Sequence, residues 1–203
     1  MKKFLLITVC SLFFLHASAL QMKDLWMSIP DSIMPHINQT IREELLHIAE
    51  NNTLSETNNL LGEKMRVDTL TSNYMAVNMS QSLFLQMRLL PTTDGDSILC
   101  VVRTYGTMVK ESMVSLYKTD WTKISDLKFD INEFVQKPDT MQTDKYDELI
   151  LKLDPYIFSA SLSSNDDTLT VIPSAANVTT DDIKSLKDIF LQRKYKWNGQ
   201  AFN

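Results

Sequence analysis

Between Lys64 and Lys118 apolar and polar residues alternate in the longest unbroken run of that kind in the chain. Met65 and Val67 alternate with Lys64, Arg66 and Asp68; Met75, Val77 and Met79 alternate with Tyr74, Ala76 and Asn78. Successive strand side chains point to opposite faces, so a period of two marks strands. The stretch therefore predicts a five-stranded antiparallel meander. Its best-marked join is Leu89 to Leu99, where Asp94-Gly95 supplies residues that accept the positive φ of a tight hairpin turn. Taking those two residues as the loop places Leu89 opposite Cys100, Arg88 opposite Val101 and Met87 opposite Val102. In the next hairpin a Gly106–Lys110 loop pairs Tyr105 with Glu111.

On that register one face carries Leu83, Leu85, Met87, Leu89, Ile98, Cys100, Val102, Val114 and Leu116, and is the expected core. The other carries Phe84, Gln86, Arg88, Leu90, Leu99, Val101, Arg103, Tyr105, Met113, Ser115 and Tyr117. The second face is too apolar for the wet side of an open sheet. Either the chain's own helices cover it, or it is offered to a partner. On the latter reading Arg88, Arg103, Tyr105, Met113 and Tyr117 form a candidate interaction face.

Elsewhere the period shifts to that of helices. Met22–Met27 predicts a short helix, and Pro35–Glu50 a longer one with Ile37, Ile41, Leu45 and Ile48 on one stripe, stopped at Asn51-Asn52. Pro35 suits a first turn, where its missing N–H costs nothing. Phe129 to Val135 reads as a short helix or extended piece. Thr143–Leu153 is a second amphipathic helix, with Thr143 as its cap. Tyr156–Leu162 and Thr168–Ile172 form a hairpin across Ser163–Asp167. Thr179 caps a helix from Thr180 to about Gln192, and Tyr195, Trp197 and Phe202 flank a closing turn at Asn198-Gly199. The predicted fold is α+β: an antiparallel meander (about 64–118) packed against an N-terminal helix and C-terminal helices, with a helix-hairpin-helix-strand part (about 143–203), all in one domain over residues 20–203.

The first nineteen residues read as an export signal. Lys2-Lys3 precede an apolar run from Phe4 to Leu15, and Ala17-Ser18-Ala19 is a small-residue cleavage site, with cleavage after Ala19. Cys10 lacks the small residues that a lipid-anchoring site needs before it, so the expected product is periplasmic or secreted. No later stretch predicts a membrane span. Without Lys2 and Lys3 the chain carries 18 basic and 25 acidic residues, net −7. That balance argues against nucleic acid, whose phosphates need a basic surface. Cys100 alone remains after cleavage, so no internal disulfide is expected, and a strand cysteine of this kind reads as core.

The ordered series Ser28-Ile29-Pro30-Asp31-Ser32-Ile33-Met34-Pro35, Leu89-Leu90-Pro91, Ile98-Leu99-Cys100-Val101-Val102-Arg103-Thr104, Glu111-Ser112 and Tyr117 before Trp121 resembles a family of exported proteins of unknown function found in Bacteroidales. The resemblance covers most of the chain. It implies a compartment and a source group, and it implies no activity or catalytic residue.

No set of residues points to catalysis, a cofactor or a metal. His36 and His47 lie eleven residues apart, too far along one helix to share an ion. Asp166-Asp167 and Asp181-Asp182 read as turn and helix-start residues. Asp94-Gly95-Asp96 lacks the later ligands of a calcium loop. Trp121 and Trp197 read as core-closing aromatics, with sugar stacking as the alternative. The triplets beginning at Asp31, Asp68, Asp96, Asp139 and Asp167 look like acceptors for O-linked glycans in exported Bacteroidetes proteins. The leading functional reading is a non-enzymatic binding or interaction module, whose partner is an envelope protein or a glycan. The alternatives are a hydrolase-type enzyme with no recognisable motif, or a structural assembly subunit.

Overall fold

A computed structural model describes residues 20–51, 55–175 and 180–203. Its centre is a seven-stranded meander in chain order: β1 (Thr57–Asn58), β2 (Lys64–Leu70), β3 (Tyr74–Asn78), β4 (Leu83–Pro91), β5 (Ser97–Tyr105), β6 (Glu111–Lys118) and β7 (Lys123–Asp126). A second antiparallel sheet is formed by β8 (Tyr156–Leu162), β9 (Thr168–Ala175) and β10 (Arg193–Lys196), in the order β10-β9-β8. The helices are α1 (Met22–Met27), α2 (Gln39–Glu50), α3 (Thr143–Leu151) and α4 (Thr180–Ile189), with a 3₁₀ turn at Ile131–Glu133. The α+β class and the meander are as the sequence pattern predicts. The export signal, Asn52 and the Thr179 cap lie outside the described residues.

The β4–β5 register differs from the expected one by a single residue: Arg88 faces Cys100, Leu89 faces Leu99 and Met87 faces Val101. A two-residue turn with both residues at positive φ would need Asp94 there too, but only Gly95 has one, at 86°. The connection is instead the five residues Thr92–Asp96, closed by Thr92 N–H to the Asp96 carbonyl at 2.9 Å and Gly95 N–H to the Thr92 carbonyl at 3.1 Å. The β5–β6 register, with Tyr105 facing Glu111, is as expected.

A one-residue slip exchanges every side chain between faces. Leu83, Leu85, Met87 and Leu89 therefore share a face with Leu99, Val101, Arg103 and Tyr105, whereas Phe84, Gln86, Arg88 and Leu90 lie with Ile98, Cys100, Val102 and Thr104. Both faces are apolar in part, and both are packed. On the first, called here the helix face, Leu25, Trp26, Ile41 and Leu45 cluster with Met75, Val77, Leu85, Met87, Leu99 and Val101. On the second, Ala160, Leu162, Leu169 and Val171 of β8 and β9 cluster with Leu90, Cys100, Val102, Val114 and Leu116. The layer in direct contact there is the small sheet. The α3 and α4 residues Leu149, Leu186 and Ile189 pack with Ala175 of β9 in a further cluster.

Helix α2 begins later than its apolar stripe suggests. The Asn38 side chain accepts from the Ile41 N–H at 3.0 Å and caps it, so Pro35 and His36 lie in the preceding linker. In α3 the cap position is Gln142, not Thr143. Strand β8 ends its sheet, and at its buried residues Ala160 and Leu162 the outward backbone groups are met by side chains of the meander. Gln86 donates to the Leu162 carbonyl and accepts from its N–H, both at 3.2 Å, and the Ser112 hydroxyl accepts from the Ala160 N–H at 2.9 Å. Strand edges left unpaired in a packed interior would be costly.

Candidate functional site on the helix face

Helices α1 and α2 cover the β2–β4 side of the helix face and leave the part around the end of β5 open. The register there places Arg103 between Leu85 and Met113, and Tyr105 between Leu83 and Glu111. Tyr105 is 42% exposed and Met113 43%, and Arg103 is half-buried. Tyr117 is buried at their inner border, 5.7 Å from the Trp121 ring between centroids. The Arg103 guanidinium lies 6.0 Å from the Tyr117 ring centroid, and its Nη1 donates to the Tyr117 hydroxyl at 3.5 Å. Arg88, expected beside them, is on the opposite face. It is buried, donates to Asp167 Oδ1 at 2.6 Å and to the Ser163 carbonyl at 3.0 Å, and joins the two sheets. The register slip is the reason for its displacement. Four of the five expected residues thus share one face.

Arg103 and Tyr105 also line a cleft of about 470 Å³. Its walls are the linker residues 33–37, the β1–β2 turn at Asn59, Leu61 and Glu63, and the start of β4 at Leu83 and Leu85. Asn59 builds this cleft, although nothing in the periodicity singles it out. Its Oδ1 accepts from the Leu61 and Glu63 N–H groups at 2.9 and 3.0 Å, and its Nδ2 donates to the Met79 carbonyl at 3.2 Å. The Leu60 N–H donates to the His36 carbonyl at 2.9 Å and ties this turn to the linker. Behind the linker, buried Arg42 donates to the Ile37 carbonyl at 3.0 Å. Of the turn's leucines, Leu61 lines the cleft and is 66% exposed, and Leu60 is 57% exposed. The visible signal for such a turn was the glycine: Gly62 has a φ of 80°.

His36 lines the cleft and His47 lies in the last turn of α2. Among the described residues no three of His, Cys, Asp and Glu converge as a metal set, and no helix is long and apolar enough to cross a membrane. Cys100 is wholly buried, and burial pushes its thiol far above the ordinary range. The Trp121 indole is buried, donating to the Leu25 carbonyl and to Ser28 Oγ, each at 3.2 Å. Half-buried Trp197 donates to the Pro91 carbonyl at 2.6 Å. Of the five acceptor-like triplets, Ser32 and Thr140 are exposed in turns, while Thr69, Ser97 and Thr168 belong to strands.

A family model described as "Protein of unknown function (DUF3256)" matches residues 14–202. No curated protein matches the chain. Among solved structures, the chain is similar to a domain of an uncharacterized protein from Porphyromonas gingivalis W83, with a TM-score of 0.74 and 24% identity, covering 89% of this chain and 97% of that one. That likeness extends the α+β fold to a second sequence.

Proposed function

We propose, for a chain that belongs to the DUF3256 family of proteins of unknown function, an exported, non-enzymatic binding module that meets another envelope protein on the open part of its helix face. The observation that carries this reading is the grouping of exposed side chains there: Tyr105 and Met113 flank half-buried Arg103, and exposed Leu61 lines the cleft with it. Contiguous exposed apolar surface with a polar element is the usual mark of an interaction site, and tyrosine, methionine and arginine are enriched in such interfaces. The leader-like residues Lys2 to Ala19 support a periplasmic or secreted location. The net charge of −7 after cleavage favours a protein or glycan over nucleic acid.

The test is site-specific photo-cross-linking in the native envelope, from probes at Tyr105 and Met113 and from a control at Ile172, which is exposed on β9. One partner recovered in fixed ratio from the first two positions, absent from the control and lost in Met113→Glu, supports the reading. Equal yields from all three probes, or none from the first two, overturn it.

A further inference from the structure

A second cleft, of about 530 Å³, lies between the two sheets where β4 ends and β5 begins. Its volume falls in the range of small-molecule sites. The meander contributes Asn73, Pro91 and Ser97 to its walls, and the small sheet contributes the β8–β9 turn and the end of β10. The ion pair that joins the sheets, Arg88 with Asp167, also lines it. Arg88 is 3% exposed, with Nε on Asp167 Oδ1 and Nη1 on the Ser163 carbonyl. Among the described residues its Nη2 donates to no protein group and Asp167 Oδ2 accepts from none. Asn73 and Asn165 are exposed, and their Oδ1 atoms accept from the Thr71 and Ser164 hydroxyls at 3.2 and 3.3 Å. Neither Nδ2 is used within the described chain. Donors and acceptors with unused capacity thus stand side by side.

Trp197 gives the cleft an aromatic wall. Its indole N–H is fixed on the Pro91 carbonyl at 2.6 Å, and the Phe202 ring stands against it at 5.2 Å between centroids and 65° between planes. Its backbone N–H donates to the Asp167 carbonyl at 2.9 Å, so the wall and the carboxylate are held on paired backbone. Unlike Trp26 and Trp121, which are buried, Trp197 is half-buried.

Charge narrows the choice of ligand. The cations Arg88 and Lys196 share the cleft with the carboxylates Asp166 and Asp167. An ion of either sign would meet its like as well as its opposite. A hydroxyl both donates and accepts, so it can pair with every polar group in this lining. A pyranose carries such hydroxyls around its edge and an apolar C–H face that packs on an aromatic ring.

We propose that the inter-sheet cleft is a glycan site for a neutral pyranoside, with the C–H face of the sugar on Trp197 and its hydroxyls on Asp167 Oδ2, Arg88 Nη2 and Asn165 Nδ2. The site lies on the small-sheet side of the meander, away from the helix face, and does not depend on the protein-partner reading.

The test begins with the mature chain on an array of immobilised neutral and acidic oligosaccharides, followed by titration calorimetry with the best-retained neutral one. The expected result is saturable binding of neutral hexose-containing members in preference to sialylated or uronic-acid members. Asn165→Ala, at an exposed turn, should weaken that binding by about three- to tenfold, the worth of one hydrogen bond. Asn165→Trp should fill the cleft and abolish binding, and Met113→Glu should leave it unchanged. Acrylamide quenching gives a second readout. Because Trp26 and Trp121 are buried, it acts chiefly on Trp197, and the bound sugar should protect that fluorescence. Retention of no array member, retention of acidic members alone, binding undiminished in both folded Asn165 variants, or quenching unchanged by the bound sugar would each overturn the proposal.

Discussion

The Arg88 guanidinium is nearly sequestered, at 4% exposure, and its charge is answered from the other sheet by Asp167 at 2.6 Å. Asp167→Asn would leave that buried cation without its counter-ion, and such losses run to about 3 kcal/mol or more. Urea unfolding should show a drop of that size for Asp167→Asn, and a clearly smaller one for Arg88→Met combined with Asp167→Asn. Equal losses would mean that the charge of Arg88 is not what the pair satisfies. Gln86 is a second residue whose deletion is legible in advance. Gln86→Leu orphans both the N–H and the carbonyl of Leu162 and the hydroxyl of Tyr74, which receives the Gln86 amide at 2.7 Å. The expected cost is about 2 kcal/mol, read from the same unfolding curves. Cys100 is wholly enclosed, and its thiol stays protonated at neutral pH because burial disfavours the thiolate. A thiol reagent should therefore leave the native chain unlabelled and modify one site per chain of the cleaved form on unfolding in urea. Rapid labelling of the native form would show a more open sheet than the one described.

At the scale of elements, strand existence was readable and strand partnership was only half so. Period-two patterning located β2 to β6 although only β2 alternates in burial and β3 to β6 each bury four consecutive residues on both faces, and Gly106 marked the β5–β6 loop correctly. Gly106 has a φ of 97°, and a Cβ there would clash with the Val109 carbonyl oxygen. Gly106→Ala should cost at least about 2 kcal/mol, since both the left-handed backbone and the clash oppose it; a neutral result in thermal unfolding would mean the loop relaxes freely. The β4–β5 loop was misread because Asp94-Gly95 is compatible with both a two-residue and a five-residue connection. The choice is made by distant contacts: the Thr93 N–H donates to the Gly199 carbonyl at 3.2 Å, and Trp197 bonds Pro91. No local pattern contains that information. The same slip explains the candidate face. Arg103, Tyr105, Met113 and Tyr117 were grouped correctly because β5 and β6 were in register, and Arg88 was misassigned because β4 was not. Trp121 escaped its local rules as well. It occupies a φ of 68°, a region that bulky side chains rarely adopt, held there by its buried indole and two hydrogen bonds to the α1 region. The cleft was illegible for a related reason, since Asn59, His36 and Leu83 come from three segments joined only in the fold.

Over the whole molecule, the acid limb of stability follows from where the carboxylates sit. Glu56, Asp94, Asp120, Asp126, Glu148 and Asp166 are all held below their ordinary range, by a lysine partner for Glu56, Asp126 and Glu148 and by hydroxyl or backbone N–H donors for the others. A carboxylate depressed in the folded state binds protons more weakly there than in the unfolded chain. Its stabilisation is therefore present above the unfolded value, near pH 4, and is lost as pH falls through the folded values. Stability should be nearly level from neutrality to about pH 5 and decline below about pH 4. The partner lysines Lys64, Lys123 and Lys152 are raised by the same pairs, so their contribution is complete below the unfolded lysine value and is lost only as pH rises through the folded ones, well into alkali. These groups lie at the surface, so each contribution is small and screened by salt. Asp126 is the informative one to remove. It closes the β6–β7 edge through Lys123 and Ser115, next to the open part of the helix face. Asp126→Asn should lower the unfolding midpoint slightly at pH 7 and shrink the difference between pH 7 and pH 3, and added salt should narrow the gap from the parent protein at pH 7. If Asp126→Asn left the acid limb as steep as before, the hydroxyl of Ser115 and the ammonium of Lys123 would not be stabilising the charged form, and the β6–β7 edge would owe its order to backbone pairing alone.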